Sequence, residues 1–294
     1  MTLFNQHYPS GSEAFKALVH AQAQAALSED IGSGDLTALL VSDKQTVHAT
    51  IVARESAIIC GQDWVNACFQ LVNKNVEISW LINEGDRVSP DQILCKIYGP
   101  ARALLSAERC ALNFLQTLSS TATETRKYVD TVAGTNAQIL DTRKTIPQLR
   151  LAQKYAVTVG GGHNQRLALY DGILIKENHI AAAGGIQQVM QQALALNTDK
   201  SIQIEVEDLD QLAQALAADA ESILLDNFSH DLLRAAVKMN QQSAKKAVLE
   251  ASGNINLSNV REVALTGVDR ISIGALTKNI KAIDLSMRIV DSAS

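Results

Sequence analysis

Cysteine is scarce in this chain. Its 294 residues hold four, Cys60, Cys68, Cys95 and Cys110, and none form a Cys-x-x-Cys pair. That excludes the usual zinc and dithiol motifs and fits buried, reduced thiols in a cytoplasmic protein. Proline is equally rare, at four, so no proline-rich linker separates domains. No apolar run approaches the ~18 residues of a membrane span. Residues 1–12 have neither the basic start nor the apolar stretch of a secretory signal. Lysine and arginine form no basic block, and 26 of them against 31 Asp+Glu leave a net charge of −5. This argues against nucleic acid or an anionic membrane as the main partner. No GxxxxGK[ST] run is present, and no GxGxxG opens a helix after a strand. Both absences disfavour P-loop and Rossmann nucleotide sites.

What remains is ordinary globular material, 47% hydrophobic and 19% charged, long enough for one large domain or two. Two regimes are visible. The first starts with a helical pattern from Ser12 to Leu27 and continues with alternating segments, Val47–Arg54, Val76–Trp80 and Gln92–Ile97, that read as strands. A turn signal covers Asn83–Val88, and Gly99-Pro100 closes this region. From Ala101 to Leu118 the spacing of Leu104, Leu105, Ala111, Leu112, Leu115 and Leu118 predicts a helix. Arg109 shares the face of Leu105 and Leu112. A charge there reads either as an arginine snorkelling to the edge of the stripe or as one aimed at an anion across a packed interface.

In the second regime short apolar strands alternate with amphipathic helices. The strands are Gln138–Leu140, Ile173–Ile175, Ile202–Val206, Ile223–Leu225, Ala247–Leu249 and Ile271–Ile273, and Ala156–Val159 is a further strand candidate. The helices are Ile186–Leu196, Leu209–Ala217, Asp231–Met239 and Ser258–Leu265. Such alternation implies a parallel sheet, open or closed into a barrel. Polar groups follow nearly every strand: Asp141-Thr142-Arg143-Lys144, Lys176-Glu177-Asn178-His179, Glu205 and Glu207, Asp226-Asn227, Glu250 through Asn254, and Gly274-Ala275. In a parallel α/β barrel these points converge on the rim where active sites are built. Arg143, Lys144, Arg166 and Lys176 suit a substrate with several carboxylates or phosphates. Glu205 and Asp226 read either as oxygen ligands for Mg²⁺ beside a phosphate-rich ligand or as neutralising partners of the lysines. Gly253 and Gly274 lie in late loops of the kind that bind phosphate through backbone N–H groups.

Taken in order, Glu29-Asp30-Ile31-Gly32-Ser33-Gly34-Asp35-Leu36-Thr37, Glu108-Arg109, Asp141 to Thr145, Gly160-Gly161-Gly162, Asn164-Gln165-Arg166, Leu174 to His179, Glu205-Val206-Glu207, Leu224 to Asn227 and Ile273 to Thr277 closely resemble the quinolinate phosphoribosyltransferase family over nearly the whole chain. The resemblance implies the type II phosphoribosyltransferase fold: an α/β chain with an N-terminal α/β sandwich over residues 1–116 and a C-terminal open α/β barrel over 117–278. Residues 279–294 would pack back on the sandwich. It implies a homodimer with shared active sites and a reaction of quinolinate with phosphoribosyl pyrophosphate. The products are nicotinate mononucleotide, pyrophosphate and CO₂, for NAD synthesis, with Mg²⁺ accompanying the donor.

By similarity Arg143 and Arg166 hold the quinolinate carboxylates, with Thr142, Lys144 and Lys176 nearby and Arg109 supplied by the partner subunit. Glu205 and Asp226 would face the ribose and the metal-bound pyrophosphate, forming the catalytic set with Lys144 and Lys176. Ser252, Gly253, Asn254, Ile273, Gly274 and Ala275 would cradle phosphate oxygens through backbone donors. The chain departs from the family pattern at Gln165, where many relatives carry His. Glutamine can hydrogen-bond but carries no charge, and His163 stands two residues earlier. Two other readings compete: a Schiff-base barrel aldolase using Lys144 or Lys176, and a non-catalytic phosphoribosyl-binding relative of the kind found beside molybdenum transport systems.

Overall fold

The computed structural model describes residues 8–290, so residues 1–7 and 291–294 of the ranges given above lie outside it. The chain divides into two compact units. One runs up to Glu124 and includes Thr158–Gly160 and the stretch from Asn279; the other comprises Thr125–Val157 and Gly161–Lys278.

In the first unit, α1 (Glu13–Ile31) starts where the Ser12 hydroxyl accepts from the Phe15 N–H at 3.2 Å. It buries Phe15, Val19, Ala23 and Leu27, a stripe one residue wide at four-residue steps. The stripe packs on α2 (Gln62–Val72), where the Phe15 and Trp64 rings meet edge to face at 5.6 Å. A four-stranded antiparallel sheet has the order β12 (Leu285–Val290), β1 (Thr46–Ala53), β5 (Ile93–Pro100), β3 (Glu77–Trp80). Short strands β2 (Ala57–Ile58) and β4 (Arg87–Val88) pair separately. The four cysteines are free and buried. A 3-10 turn at Ala38–Leu40 is tied down by Asp35. The Asp35 carboxylate accepts from the Ala38 N–H at 3.0 Å and from the Ser106 hydroxyl at 2.7 Å. Those bonds hold the Asp35 carboxyl below its ordinary value.

The helix after β5 is longer than its leucine pattern predicts. α3 runs Ala101–Thr131, and the division between units falls inside it, at Glu124/Thr125 rather than at 116/117. Buried Ser119, Ser120, Thr121 and Thr125 break the leucine pattern but not the helix. None of the helices among the described residues is long and apolar enough to cross a membrane.

The second unit alternates strands and helices. After β6 (Gln138–Leu140) come α4 (Arg150–Val159), β7 (Ile173–Ile175), α5 (Glu177–Ala183), α6 (Ile186–Ala195) and β8 (Ile202–Val206). They continue with α7 (Leu209–Ala217), β9 (Ser222–Asp226), α8 (His230–Gln242), β10 (Val248–Ser252), α9 (Val260–Ala264), β11 (Arg270–Ser272) and α10 (Ala275–Lys278). The expected strand at Ala156–Val159 is the last turn of α4. Its apolar residues belong to a helical face with buried Ala152 and Tyr155, and a four-residue apolar run has no period of its own.

All six strands are parallel, in the order β6-β11-β10-β9-β8-β7. Alternation along each strand sorts the side chains. Ile139, Ile175, Ile204, Val206, Ile223, Leu225, Leu249, Ala251 and Ile271 join one buried cluster with the helices. The intervening residues include Gln203, Glu205, Ser222, Asp226, Glu250, Ser252, Arg270 and Ser272, so the other face is largely polar. His163 adds a parallel bridge to Leu140 beyond β6, at one end of the order, and β7 is the other end. Yet the Gln165 amide, two residues past that bridge, donates to Gln203 Oε1 on β8 at 2.7 Å. Contact between opposite ends of the order requires the sheet to curl into a barrel, left open between β7 and the bridge.

Candidate active site

Most residues expected at the rim follow a parallel strand or lie in its last two positions, Arg166 follows the bridge at His163, and curling gathers them at one mouth. Thr142, Arg143 and Lys144 follow β6; Lys176 follows β7; Glu205 is the penultimate residue of β8. Asp226 and Ser252 are the last residues of β9 and β10. Glu250, read in the sequence as part of a loop, is instead inside β10 and fully buried.

Two arginines dominate one side of the mouth. Arg166 is half-buried and its Nη1 donates to the Gly172 carbonyl at 2.8 Å. Burial, and then the nearby Arg143 charge, hold it below its ordinary value. Arg143 is exposed, and neither guanidinium has a carboxylate within ion-pair distance among the described residues. Two neighbouring unneutralised guanidiniums repel each other unless an anion joins them. Lys144 is also exposed, and its stem packs on the next strand end: a Cβ at Gly274 would lie 3.1 Å from Lys144 Cδ and 3.5 Å from Thr142 Oγ1.

At the end of β7, Lys176 Nζ donates to Glu205 Oε2 at 2.6 Å. Glu205 therefore has a lysine partner, whereas among the described residues the Asp226 carboxylate accepts only from the neighbouring Asn227 amide, at 2.7 Å. Between the ends of β9 and β10 and the start of α8 lies a cavity of about 390 Å³, lined in part by Asn227, Ser229, Ser252, Gly253 and Asn254. The loops interlock here. The Asn227 N–H donates to the Ser252 carbonyl at 2.9 Å and Asn254 Nδ2 donates to Asn227 Oδ1 at 3.2 Å. Asn227, Gly253 and Asn254 all hold positive φ.

Ile273 does not serve as expected. Its N–H donates to the Leu140 carbonyl at 2.9 Å and its side chain joins the apolar cluster, so it has no backbone donor left for a ligand. Gly274 and Ala275, at the start of α10, remain where helix amides lack internal acceptors. Arg109, in the other unit, is exposed and has no ion partner among the described residues.

The sequence reading missed the buried supports. Asp141 and Lys154 form an ion pair in which both side chains are 0% exposed. Burial pushes the Asp141 carboxyl up, to about 6, against the pull of Lys154, and pulls the Lys154 ammonium down. The available signal was a lysine sharing a helix face with Leu151 and Val157, at three-residue steps on either side. Glu250 accepts from Gln165 Nε2 at 3.1 and 3.2 Å and from Gln203 Nε2 at 2.9 Å. Gln165 thus faces the barrel interior. His163 is half-buried, and burial and then Arg270 hold its imidazole below the ordinary value.

Comparison with known proteins agrees with this architecture. Residues 35–119 match the N-terminal domain, and residues 121–288 the C-terminal domain, of the family described as quinolinate phosphoribosyl transferase. A "probable nicotinate-nucleotide pyrophosphorylase [carboxylating]" of Bacillus subtilis is 41% identical over 262 residues, covering 89% of this chain and 90% of its own. The Mycobacterium leprae protein named nicotinate-nucleotide pyrophosphorylase [carboxylating] is 39% identical over 266 residues, covering 89% and 94%. Among solved structures, the nicotinate-nucleotide pyrophosphorylase from Francisella tularensis is 45% identical with a TM-score of 0.90, covering 94% of this chain and 97% of that one. With both domains matched and relatives this similar across their length, the chain belongs to the quinolinate phosphoribosyl transferase family.

Proposed function

We propose that this protein transfers the phosphoribosyl group of phosphoribosyl pyrophosphate to quinolinate and decarboxylates the product, giving nicotinate mononucleotide, pyrophosphate and CO₂ for NAD biosynthesis. One observation carries the reading: Arg143 and Arg166 stand side by side without a carboxylate, at the mouth of a barrel whose other side bears Glu205 and Asp226. A planar dicarboxylate is the anion such a pair suits. The acidic side would repel it, so those groups address the ribose and the donor instead.

In this reading departure of pyrophosphate leaves an oxocarbenium-like ribose, stabilised by the Glu205 and Asp226 charges. The pyridine nitrogen attacks C1 and becomes cationic. Loss of the adjacent carboxylate as CO₂ leaves an electron pair on C2, which that charge stabilises and a proton then quenches. Lys144 and Lys176 act as fixed positive charges, and positioning with electrostatics supplies most of the acceleration. The cavity beside Ser252, Gly253 and Asn254 suits phosphate oxygens. Mg²⁺ would enter with the donor. Glu205 and Asp226 offer oxygen ligands on adjacent strands, and no group of three or more His, Cys, Asp or Glu among the described residues is placed to hold a metal. Water and phosphate oxygens would complete the shell. The ion, when bound, supplies charge neutralisation at the leaving group.

A homodimer with shared sites fits the first unit. Leu36, Leu39 and Leu40 are 81%, 61% and 86% exposed, yet Asp35 and a 2.7 Å bond from Arg102 Nε to the Val41 carbonyl hold this segment against α3. Ordered, exposed leucines suit a second copy of the chain, and Arg109 would cross to the partner's rim. Free, buried cysteines suit the cytoplasm.

The test is an assay with quinolinate, phosphoribosyl pyrophosphate and Mg²⁺, following CO₂ and nicotinate mononucleotide. Their formation in equal amounts is expected; binding of the donor without product would favour the non-catalytic reading. Borohydride reduction with substrates present should leave the chain mass unchanged, because Lys176 is ion-paired rather than a free nucleophile; a reduced adduct on Lys144 or Lys176 would favour the aldolase.

A further inference from the structure

The two segments that carry Arg143 and Arg166 are cross-braced beneath the rim. Asp141 opens one and Gln165 stands directly before the arginine of the other. The Asp141 N–H donates to the His163 carbonyl at 3.1 Å. The Asp141 carboxylate accepts from the Gln165 N–H at 3.0 Å and from Asn164 Nδ2 at 2.6 Å, and pairs with Lys154. Lys154 Nζ in turn donates to the Gln165 carbonyl at 2.9 Å. Every polar atom of Gln165 is thereby engaged, because its Oε1 accepts from the Arg166 N–H at 2.7 Å and its Nε2 reaches Gln203 and Glu250.

The brace extends one turn along α4. Arg150, four residues before Lys154 and on the same face, donates to the Arg143 carbonyl at 3.4 Å and to the Leu167 carbonyl at 3.5 Å. α4 therefore ties both arginine-bearing segments from below, with its charged groups placed where solvent does not reach Asp141 or Lys154. A buried pair of this kind is weak evidence for stability, since two apolar groups of the same shape serve stability as well or better. Its geometry is better explained by what it aligns.

We propose that the buried Asp141–Lys154 pair is a positioning device that sets the spacing of Arg143 and Arg166 through Gln165, and so selects a dicarboxylate over a monocarboxylate without touching either. The inference deepens the quinolinate reading and rests on it.

The decisive variant is Asp141→Asn/Lys154→Met, which removes both charges while keeping their volumes. It is expected to fold, with an unchanged circular dichroism spectrum and a Tm near that of the wild type. Equilibrium dialysis should show quinolinate binding weakened at least about tenfold, nicotinate binding within about twofold, and the KM for phosphoribosyl pyrophosphate within about twofold. A general loosening of the fold would weaken all three alike. A folded double variant that keeps the wild-type ratio of quinolinate to nicotinate affinity overturns the proposal, as does a uniform loss. If the double variant does not fold, Gln165→Met decides by the same ratio, because it cuts the side-chain bonds to Arg166, Gln203 and Glu250 and leaves the ion pair whole. Failure of the functional reading is distinguishable: the wild type would then form no nicotinate mononucleotide, whatever the binding ratios.

Discussion

Gly253 has no room for a side chain: a Cβ built on it would lie 2.2 Å from Asn227 Oδ1 and 2.9 Å from the Asn227 backbone nitrogen. Its φ of +98° is also one that other residues rarely adopt. The close approach of these two loop ends, after β10 and β9, shapes the cavity assigned to phosphate. Gly253→Ala should therefore cost about 1–3 kcal/mol in backbone strain alone, read as a fall in Tm. The KM for phosphoribosyl pyrophosphate should rise at least about tenfold, a loss of about 1.4 kcal/mol, while quinolinate binding stays near wild type. A Gly253→Ala variant with unchanged Tm and donor KM would remove this loop from the site.

Substrate choice should turn on the second carboxylate. Nicotinate lacks the one beside the ring nitrogen, so its binding leaves Arg143 or Arg166 without an anionic partner, whereas Lys176 keeps Glu205. An unpaired buried charge costs about 3–5 kcal/mol, and the partial exposure of Arg166 relieves some of it. Discrimination in kcat/KM of at least about a hundredfold is expected. It should shrink in Arg166→Met. Both substrates measured on wild type and variant check this; equal use of nicotinate by the wild type refutes the quinolinate assignment.

Arg109 should act across subunits. Arg109→Ala and Arg143→Ala should each be nearly inactive as homodimers. After mixing and subunit exchange, half of the dimers are mixed and each holds one intact site, so about a quarter of wild-type activity should return. No recovery, with exchange confirmed by mass spectrometry, would sink the shared site.

His163 should give stability an acid limb. Burial and Arg270 hold its folded-state pKa below the ordinary 6.5. As pH falls below ~6.5 the unfolded chain takes up its proton first. The contribution is therefore whole above that pH and is lost as pH falls toward the folded value. His163→Gln should show a flatter dependence of urea stability over this window. A His163 imidazole that titrates at or above 6.5 by NMR would contradict the assignment.

Much of the fold was legible along the chain. Period-two alternation placed β1, β3 and β5, and the alternation of strands and helices placed five of the six parallel strands within a residue of their ends, while β10 runs three residues past its expected end. Both signals depend only on how successive residues point from a helix or a strand, which is local backbone geometry. The rim residues were legible for the same reason: once strands are parallel, whatever follows each one lies at a common end. The continuation of α3 to Thr131 was not legible, because buried serines and threonines replaced the leucines that marked it. The helical state of Ala156–Val159 was hidden as well, since so short an apolar run suits either element.

The supports of the site are a different matter. Gln165 meets Gln203 and Glu250, and Lys154 meets Asp141, only because the sheet curls and α4 returns beneath β6. Glu250 faces inward because β10 extends through Ser252. The Ile273 amide is spent because β11 lies beside β6. Each of these contacts joins segments distant in sequence, and each depends on strand order and curvature rather than on any neighbour in the chain. The residues proposed to meet ligand could be read from their chemistry and their place after a strand. The residues that hold them in place are buried polar groups, and a buried polar group is recognisable only by the partner that packing brings to it.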